Sequence, residues 1–208
     1  MSHMCQEREV ADHCIMLRSG KLFDITNPEA SEFSLEDIAH GLAHTCRYAG
    51  QCDGFYSVAE HSVLVSKTVS AFKLAALFHD AAEAFIGDMA GPLKRLLPEY
   101  RAIEKRIERA IFKRFCIEWP APPAVKAADL SVLMTEQKFL MPPGTNSWIY
   151  CTTVAAANVP IHKLSPANAK MLFLERYAEL TQGNAAGYLT GGGADARINA
   201  QSSFNAVR

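Results

Sequence analysis

Three ionisable residues lie close together in an otherwise apolar stretch of the chain. His79 and Asp80 are adjacent, and Glu83 follows within one helical turn. If this stretch is a helix, the three side chains share an arc of about 100°. Burying ionisable groups is costly unless they are paired or bind a metal. The spacing therefore predicts a functional cluster that contains metal ligands.

Two residues elsewhere complete a candidate ligand set. His61 lies on the predicted core face of the preceding helix, and Asp129 interrupts an otherwise apolar turn. Together with His79 and Asp80 they offer two imidazoles and two carboxylates, which suit Zn, Mn, Co, Fe or, less well, Mg. A His-Asp dipeptide alone is a weak motif, so we base the prediction of a divalent metal ion on the complete set.

The bulk properties exclude several classes of protein. The 208 residues carry a formal net charge of -1, which gives no electrostatic argument for duplex nucleic acid or a membrane as the partner. No apolar run approaches the roughly 20 residues needed to span a bilayer, and no secretory signal is visible. Six scattered cysteines without a C-x-x-C pair are typical of reduced thiols. We therefore expect a cytoplasmic protein.

Helical patterns dominate and predict an all-α bundle of roughly six to eight helices. Ser34 and Ser57 each precede an acidic residue at capping-box spacing, Asp37 and Glu60. The segment 73–85 is apolar nearly all round, which predicts the buried central helix. The helices are expected at 34–47, 57–69, 73–85, 99–115, 124–140 and 165–180.

The remaining segments are expected to be strands, loops or tails. Around Ser19-Gly20, residues 14–26 allow a small N-terminal β-hairpin. Glycine and proline at 87–92 predict a loop, and the alternating charges of 101–114 predict a solvated helix face. We expect an N-terminal extension at 1–13, in which residues 2–4 resemble a cloning scar, one domain at 14–182, and a flexible glycine-rich tail at 183–208.

Several motifs, in order along the chain, resemble those of HD-domain metal-dependent phosphohydrolases. The similarity is greatest to the YfbR/YfdR-type 5'-deoxynucleotidases of bacteria and phages, and it runs from about residue 19 to 180. The motifs that carry it are Cys46-Arg47-Tyr48, Ser57-Val-Ala-Glu-His61, Leu77-Phe-His79-Asp80-Ala-Ala-Glu83, Gly87-Asp88, Pro92-Leu-Lys94, Val125-Lys-Ala-Ala-Asp129 and Leu174-Glu-Arg-Tyr177.

The resemblance implies an HD-domain helical bundle that hydrolyses deoxyribonucleoside 5'-monophosphates to deoxynucleoside and phosphate. It implies that His61, His79, Asp80 and Asp129 bind the metal. It also implies that Glu83 positions or deprotonates the attacking water, a role that its place one turn from His79 supports.

The resemblance also implies a set of substrate-binding residues. Arg47 and Lys94 would hold phosphate, Asp88 would contact the sugar or assist proton transfer, and Tyr48 replaces an aromatic residue beside the sugar and base. Other readings stay open: Arg47 could favour a helix dipole, Asp88 could be a turn residue, and Lys94 with Arg95 could be solvated.

Two other functions stay open from the sequence. Some small HD proteins release triphosphate from dNTPs, and Arg95 beside Lys94 offers an extra cation for the longer phosphate chain. A nucleotide sensor without turnover is the second, but such a protein has no need of Glu83. Because relatives form oligomers through helix faces, the resemblance also favours a homo-oligomer, with a dimer as the first expectation.

Overall fold

The structure is a computed structural model, and it describes residues 12–145 and 153–187. This part of the chain is mostly helical, with one small antiparallel hairpin, so the predicted fold class is confirmed. Residues 1–11, 146–152 and 188–208 lie outside the described residues. Most of the predicted N-terminal extension (1–13) and of the predicted tail (183–208) therefore falls outside them. The elements are β1 (Cys14–Met16), β2 (Leu22–Asp24), α1 (Leu35–His44), a 3-10 helix (Arg47–Gly50), α2 (Val58–Thr68), α3 (Lys73–Phe78), α4 (Glu83–Ile86), α5 (Gly91–Leu96), α6 (Pro98–Arg114), α7 (Pro123–Leu140) and α8 (Pro166–Gly187).

The N-terminal hairpin supports the short helix α4. β1 and β2 pair with Ile15 opposite Phe23, and Gly20 turns the chain with a φ of 81°. Phe23 is fully buried and stacks on Phe85 of α4, with ring centroids 4.0 Å apart. The hairpin therefore packs directly against the helix that begins with Glu83.

Helix α1 begins as predicted and ends three residues early. Ser34 and Asp37 form the complete capping box. The predicted end at Arg47 is wrong because the chain leaves α1 after His44 to pair with the residues before α2. In this pairing the amide of Arg47 donates to the carbonyl of Tyr56 at 2.9 Å.

Helix α2, not the segment 73–85, is the central helix. All of its residues 58–66 are buried, and it packs against α1, α3, α7 and α8. The Ser57 hydroxyl caps α2 by accepting the Glu60 amide, but the Glu60 carboxylate does not accept the Ser57 amide. The prediction of a second capping box is therefore wrong. The Glu60 carboxylate instead accepts the amides of His162 and Leu164 at 2.7 and 2.8 Å, which ties the segment before α8 to the core.

The predicted helix at 73–85 is interrupted at its functional residues. α3 ends at Phe78 and α4 begins at Glu83, with turns between them. The amides of Ala81 and Glu83 bond three residues back, as in a 3-10 helix. The His79 imidazole contributes to the break, because its Nδ1 lies 2.8 Å from the Ala76 carbonyl, the α-helical acceptor for the next amide.

The later helices follow the predictions with two corrections. α6 and α7 agree to within one residue at each end, but α8 continues to Gly187, past its predicted end at 180. The segment predicted as a loop around 87–92 contains the start of α5, where Pro92 occupies the first turn. In the described part of the chain, no helix is both long and apolar enough to cross a bilayer.

The close packing of α1 on α4 gives a stability test at Gly41. A Cβ added there would lie 2.5 Å from the Ala84 carbonyl oxygen, so Gly41→Ala should destabilise the protein by about 1–3 kcal/mol. Helix propensity alone has the opposite sign, about 1 kcal/mol in favour of alanine. Denaturant unfolding measures the difference. Gly91→Ala is the control, since its Cβ meets nothing closer than 3.8 Å; equal stability of the two variants would contradict this packing.

Candidate metal centre

Four side chains from two helices and one turn lie close together, and ligand atoms of three of them, His61, His79 and Asp129, lie within 4.8 Å of one another. His61 comes from α2, Asp129 from α7, and His79 and Asp80 from the turn after α3. His61 Nε2 lies 3.3 Å from His79 Nε2, 3.2 Å from Asp129 Oδ1 and 3.6 Å from Asp80 Oδ2. His79 Nε2 lies 3.1 Å from Asp80 Oδ2. We refer to these four residues as the His/Asp cluster.

The outer nitrogens of both imidazoles are held by protein acceptors. His61 Nδ1 lies 2.5 Å from Glu136 Oε1, and His79 Nδ1 lies 2.8 Å from the Ala76 carbonyl. A carboxylate or carbonyl can only accept here, so each Nδ1 carries a proton. Both Nε2 atoms therefore face the cluster, as ligating histidines do when a neighbour fixes the ring orientation.

The carboxylates and imidazoles of the His/Asp cluster shift each other's pKa values. Burial opposes ionisation of Asp80 and Asp129, but the two imidazoles outweigh it and hold both carboxyl pKa values below the usual range. Burial and Arg47 act to lower the pKa of His61, while Glu136 and Asp129 outweigh them and raise it to about 9. A bound cation would replace the proton on Nε2 of that imidazole.

The donor set fits one divalent cation. Ligand bonds of about 2.1 Å place two donors of the same ion roughly 3–4 Å apart, and the distances above fall in this range. Two nitrogens and two ionised carboxylates suit Zn, Mn, Fe or Co better than Mg, which prefers oxygen ligands. His61, His79, Asp80 and Asp129 are therefore the residues that would hold it.

Glu136 is the residue of the site that sequence reasoning missed. Its carboxylate is fully buried and accepts from Tyr56 at 2.8 Å, from Arg47 at 3.2 Å, and from Tyr48 and His61. Burial acts to raise its pKa, but Arg47 and His61 outweigh it and lower the pKa to about 2. The sequence did contain one signal for Glu136: it follows Asp129 by seven residues, which places both on the same face of α7.

Arg47 and Tyr48 both contact Glu136, and Arg47 also reaches the His/Asp cluster. The buried Arg47 guanidinium contacts Glu136 and lies 3.4 Å from Asp80, while its Nε has no partner among the described residues. It lies 5.3 Å from the Tyr48 ring centroid. Tyr48 and Ala49 both have positive φ values, 59° and 51°, an unfavourable backbone for residues other than glycine and one that is often found at functional sites.

Glu83 lies on the other side of Asp80 and has one unsatisfied oxygen. Its Oε1 is 3.5 Å from Lys94 Nζ, whereas its buried Oε2 has no partner in the described part of the chain. Burial, Asp80 and Asp88 raise its pKa well above the usual range. Lys94 also donates to Glu104 at 2.6 Å. The structure thus brings Glu83 and Lys94 together beside the His/Asp cluster.

Asp88 and Arg95 are placed less closely. Asp88 is half-buried in the chain after α4, and burial raises its pKa despite the opposing charge of Arg47. Arg95 is exposed on α5, next to Lys94. Within the described part of the chain, neither side chain has a hydrogen bond or ion pair with the His/Asp cluster, and their predicted roles stay predictions.

A cavity of about 260 Å³, which we name the α6 cavity, opens beside the His/Asp cluster. Arg101 and Lys105, on the first two turns of α6, are exposed, as predicted for its solvated face, and they also line this cavity. Sequence could not show this, since the solvent side of α6 depends on where α5 and the turn after α3 lie. The lining residues are His79, Asp80, Ala82, Glu83, Lys94, Arg101, Glu104, Lys105 and Glu108.

Comparison with known proteins agrees with this geometry. The model of the YfbR-like 5'-deoxynucleotidase family matches residues 43–137, which include every residue of the site described above. The uncharacterized protein YfdR of Escherichia coli K12 is 36% identical over 166 residues, which cover 79% of this chain and 93% of that protein. An uncharacterized protein of Rhodobacter capsulatus is 40% identical over 126 residues, 53% of this chain and 64% of its own.

The helical fold and the His/Asp cluster define the class of HD-type phosphohydrolases, which use a divalent metal. Within that class, the chain belongs to the YfbR-like 5'-deoxynucleotidase family. A second group of potential ligands, His13, Cys14 and Asp24, lies on the hairpin and is partly exposed. The described cysteines, Cys14, Cys46, Cys52 and Cys116, are free, as predicted.

Glu136→Gln should weaken divalent metal binding by about 10- to 100-fold, because an amide has one acceptor oxygen and removes the negative charge that holds His61. Competition with a chelator measures the affinity for Zn or Mn. Glu60→Gln is the matched control: Glu60 is equally buried but accepts backbone amides away from the His/Asp cluster. It should lose stability and keep metal affinity. Equal metal loss in both variants would contradict a specific role for Glu136.

Proposed function

We propose that the protein is a 5'-deoxynucleotidase that hydrolyses deoxyribonucleoside 5'-monophosphates to deoxynucleoside and phosphate. The observation that carries this proposal is the buried Glu83 oxygen that has no partner among the described residues and lies beside the His/Asp cluster. A carboxylate that only stabilised the fold would be expected to have both oxygens satisfied. Membership of the YfbR-like family supports the same reaction class.

Each residue of the site is assigned one role in the hydrolysis. His61, His79, Asp80 and Asp129 would hold a divalent cation, which when bound would supply Lewis-acid charge for the phosphate ester and for the attacking water. With a cation in the His/Asp cluster offsetting the negative charge of Asp80, which acts to raise the Glu83 pKa, Glu83 would be ionised and accept a proton from the water as the water oxygen forms a bond to phosphorus. The bond from phosphorus to O5' of the sugar breaks, and Asp88, whose pKa is raised by burial, would give a proton to that oxygen.

The cations of the site would position the phosphate. Arg47 is fixed by Asp80 and Glu136, which take two of its five N–H donors, and the remaining donors, Nε among them, would serve a phosphate oxygen. Lys94 lies beside Glu83 and can neutralise charge on the same group. The Tyr48 ring, held through its hydroxyl by Glu136, offers an aromatic surface to the sugar and base.

The substrate class can be tested directly. Protein loaded with Mn, Co, Zn or Mg is incubated with each dNMP, NMP and dNTP, and the products are separated. We expect phosphate and deoxynucleoside from the dNMPs. Triphosphate from dNTPs as the only product would contradict the proposal and favour the triphosphohydrolase alternative. The absence of any product with all four metals would favour a nucleotide-binding regulator.

The separate roles of ligand and base predict separable losses. His79→Ala removes a metal ligand, so both bound metal and activity should be lost. Glu83→Gln should retain the metal and lower kcat by about 10²- to 10⁴-fold, the usual contribution of a general base. Metal content and kcat are measured on the same samples, with Glu99→Gln, an exposed acidic residue of α6, as the control. Normal turnover by Glu83→Gln would refute its assigned role.

A further inference from the structure

The cations around the His/Asp cluster differ in how far the protein already neutralises them. Arg47 is paired with Asp80 and Glu136, and Lys94 with Glu104 and Glu83. Both cations predicted to hold phosphate therefore have carboxylate partners in the fold.

Two further cations line the α6 cavity without such partners. The side chains of Arg101 and Lys105 are exposed, and neither makes an ion pair or a hydrogen bond with any residue that the structure describes. They are four residues apart on α6 and so lie one above the other on the same face. The opposite face of α6 is fixed in the core by Ile107 and Ile111, which are fully buried.

The other charges of the cavity make these two cations necessary for an anionic ligand. Four carboxyl groups line the cavity: Asp80, Glu83, Glu104 and Glu108. Lys94, the remaining cation, is bound to Glu104 at 2.6 Å. Without Arg101 and Lys105, a phosphate approaching the His/Asp cluster through this cavity would meet mostly negative charge.

We propose that Arg101 and Lys105 bind phosphate oxygens of the nucleotide at the mouth of the α6 cavity and so act as substrate-binding residues. The inference rests on the proposed function. It adds that the phosphate group approaches the His/Asp cluster through the α6 cavity. The same chemistry would recognise the single phosphate of a dNMP or the outer phosphates of a dNTP, and the two sources are separate arms of the test.

The experiment compares Arg101→Ala, Lys105→Ala and the double variant with the wild-type protein, all metal-loaded. We measure KM and kcat for a dNMP and a dNTP, and inhibition by inorganic phosphate. Each single substitution should raise KM and the phosphate inhibition constant by about tenfold, because each removes a charged hydrogen bond, with kcat changed less than about twofold. Lys67→Ala, an exposed lysine of α2 outside the cavity, should change neither.

Two further measurements separate contact from general attraction. Arg101→Lys should recover part of the lost affinity, and the effect of Arg101→Ala should persist at high ionic strength, where long-range attraction is screened. A loss confined to dNTPs would support contact with the outer phosphates, and a loss shared with dNMPs and inorganic phosphate would support contact with the hydrolysed group.

The outcomes that overturn the inference differ from those that overturn the proposed function. Unchanged KM and phosphate inhibition in the double variant, or effects that vanish in high salt, would overturn phosphate binding by Arg101 and Lys105 while nucleotide hydrolysis stands. A wild-type protein that hydrolyses no nucleotide would overturn the proposed function. Equilibrium binding of inorganic phosphate to the same variants would then decide the inference by itself.

Discussion

The bond between Glu136 and His61 is the interaction on which the rest of the site depends. Both side chains are fully buried, and an isolated charge at such a position would be expelled or neutralised. Here the Glu136 carboxylate is surrounded by four donors, and its low pKa keeps it ionised. The same bond directs His61 Nε2 towards His79 and Asp129. One carboxylate thus links the packing of α2 on α7 to the formation of a ligand set.

The two sides of the His/Asp cluster have different physical characters. On one side, Arg47 and Tyr48 are held in a buried network around Glu136, which favours rigid positioning. On the other side, the α6 cavity is open, and its lining includes the exposed cations Arg101 and Lys105. Glu83 is buried but lines this open side. The buried network therefore positions the ligands, and the open side admits the reactants.

Much of the fold could be predicted from periodicity and capping residues. The capping box of Ser34 and Asp37 depends on neighbouring residues only, so sequence was sufficient. Glu60 has the same spacing, but its carboxylate binds amides more than 100 residues away, which no local pattern reveals. Helix α2 was not predicted to be central because its buried polar residues lower its apparent hydrophobicity, although tertiary contacts satisfy most of them.

The ligands of the candidate site were predictable, and their surroundings were not. His61, His79, Asp80 and Asp129 stand out as ionisable residues in apolar segments, and the structure brings all four together. The continuous helix assumed for His79 and Glu83 is replaced by a 3-10 turn, which still keeps Asp80 and Glu83 on one side because residues three apart are eclipsed. Glu136 and the cavity face of α6 required the tertiary structure.

The central claim is that the His/Asp cluster is a metal centre, and a crystal structure of the Mn- or Zn-loaded protein with anomalous scattering data tests it most directly. We predict one strong anomalous peak about 2.0–2.2 Å from His61 Nε2, from His79 Nε2 and from oxygens of Asp80 and Asp129. A peak only at His13, Cys14 and Asp24, or no peak at the His/Asp cluster under saturating metal, would contradict the account.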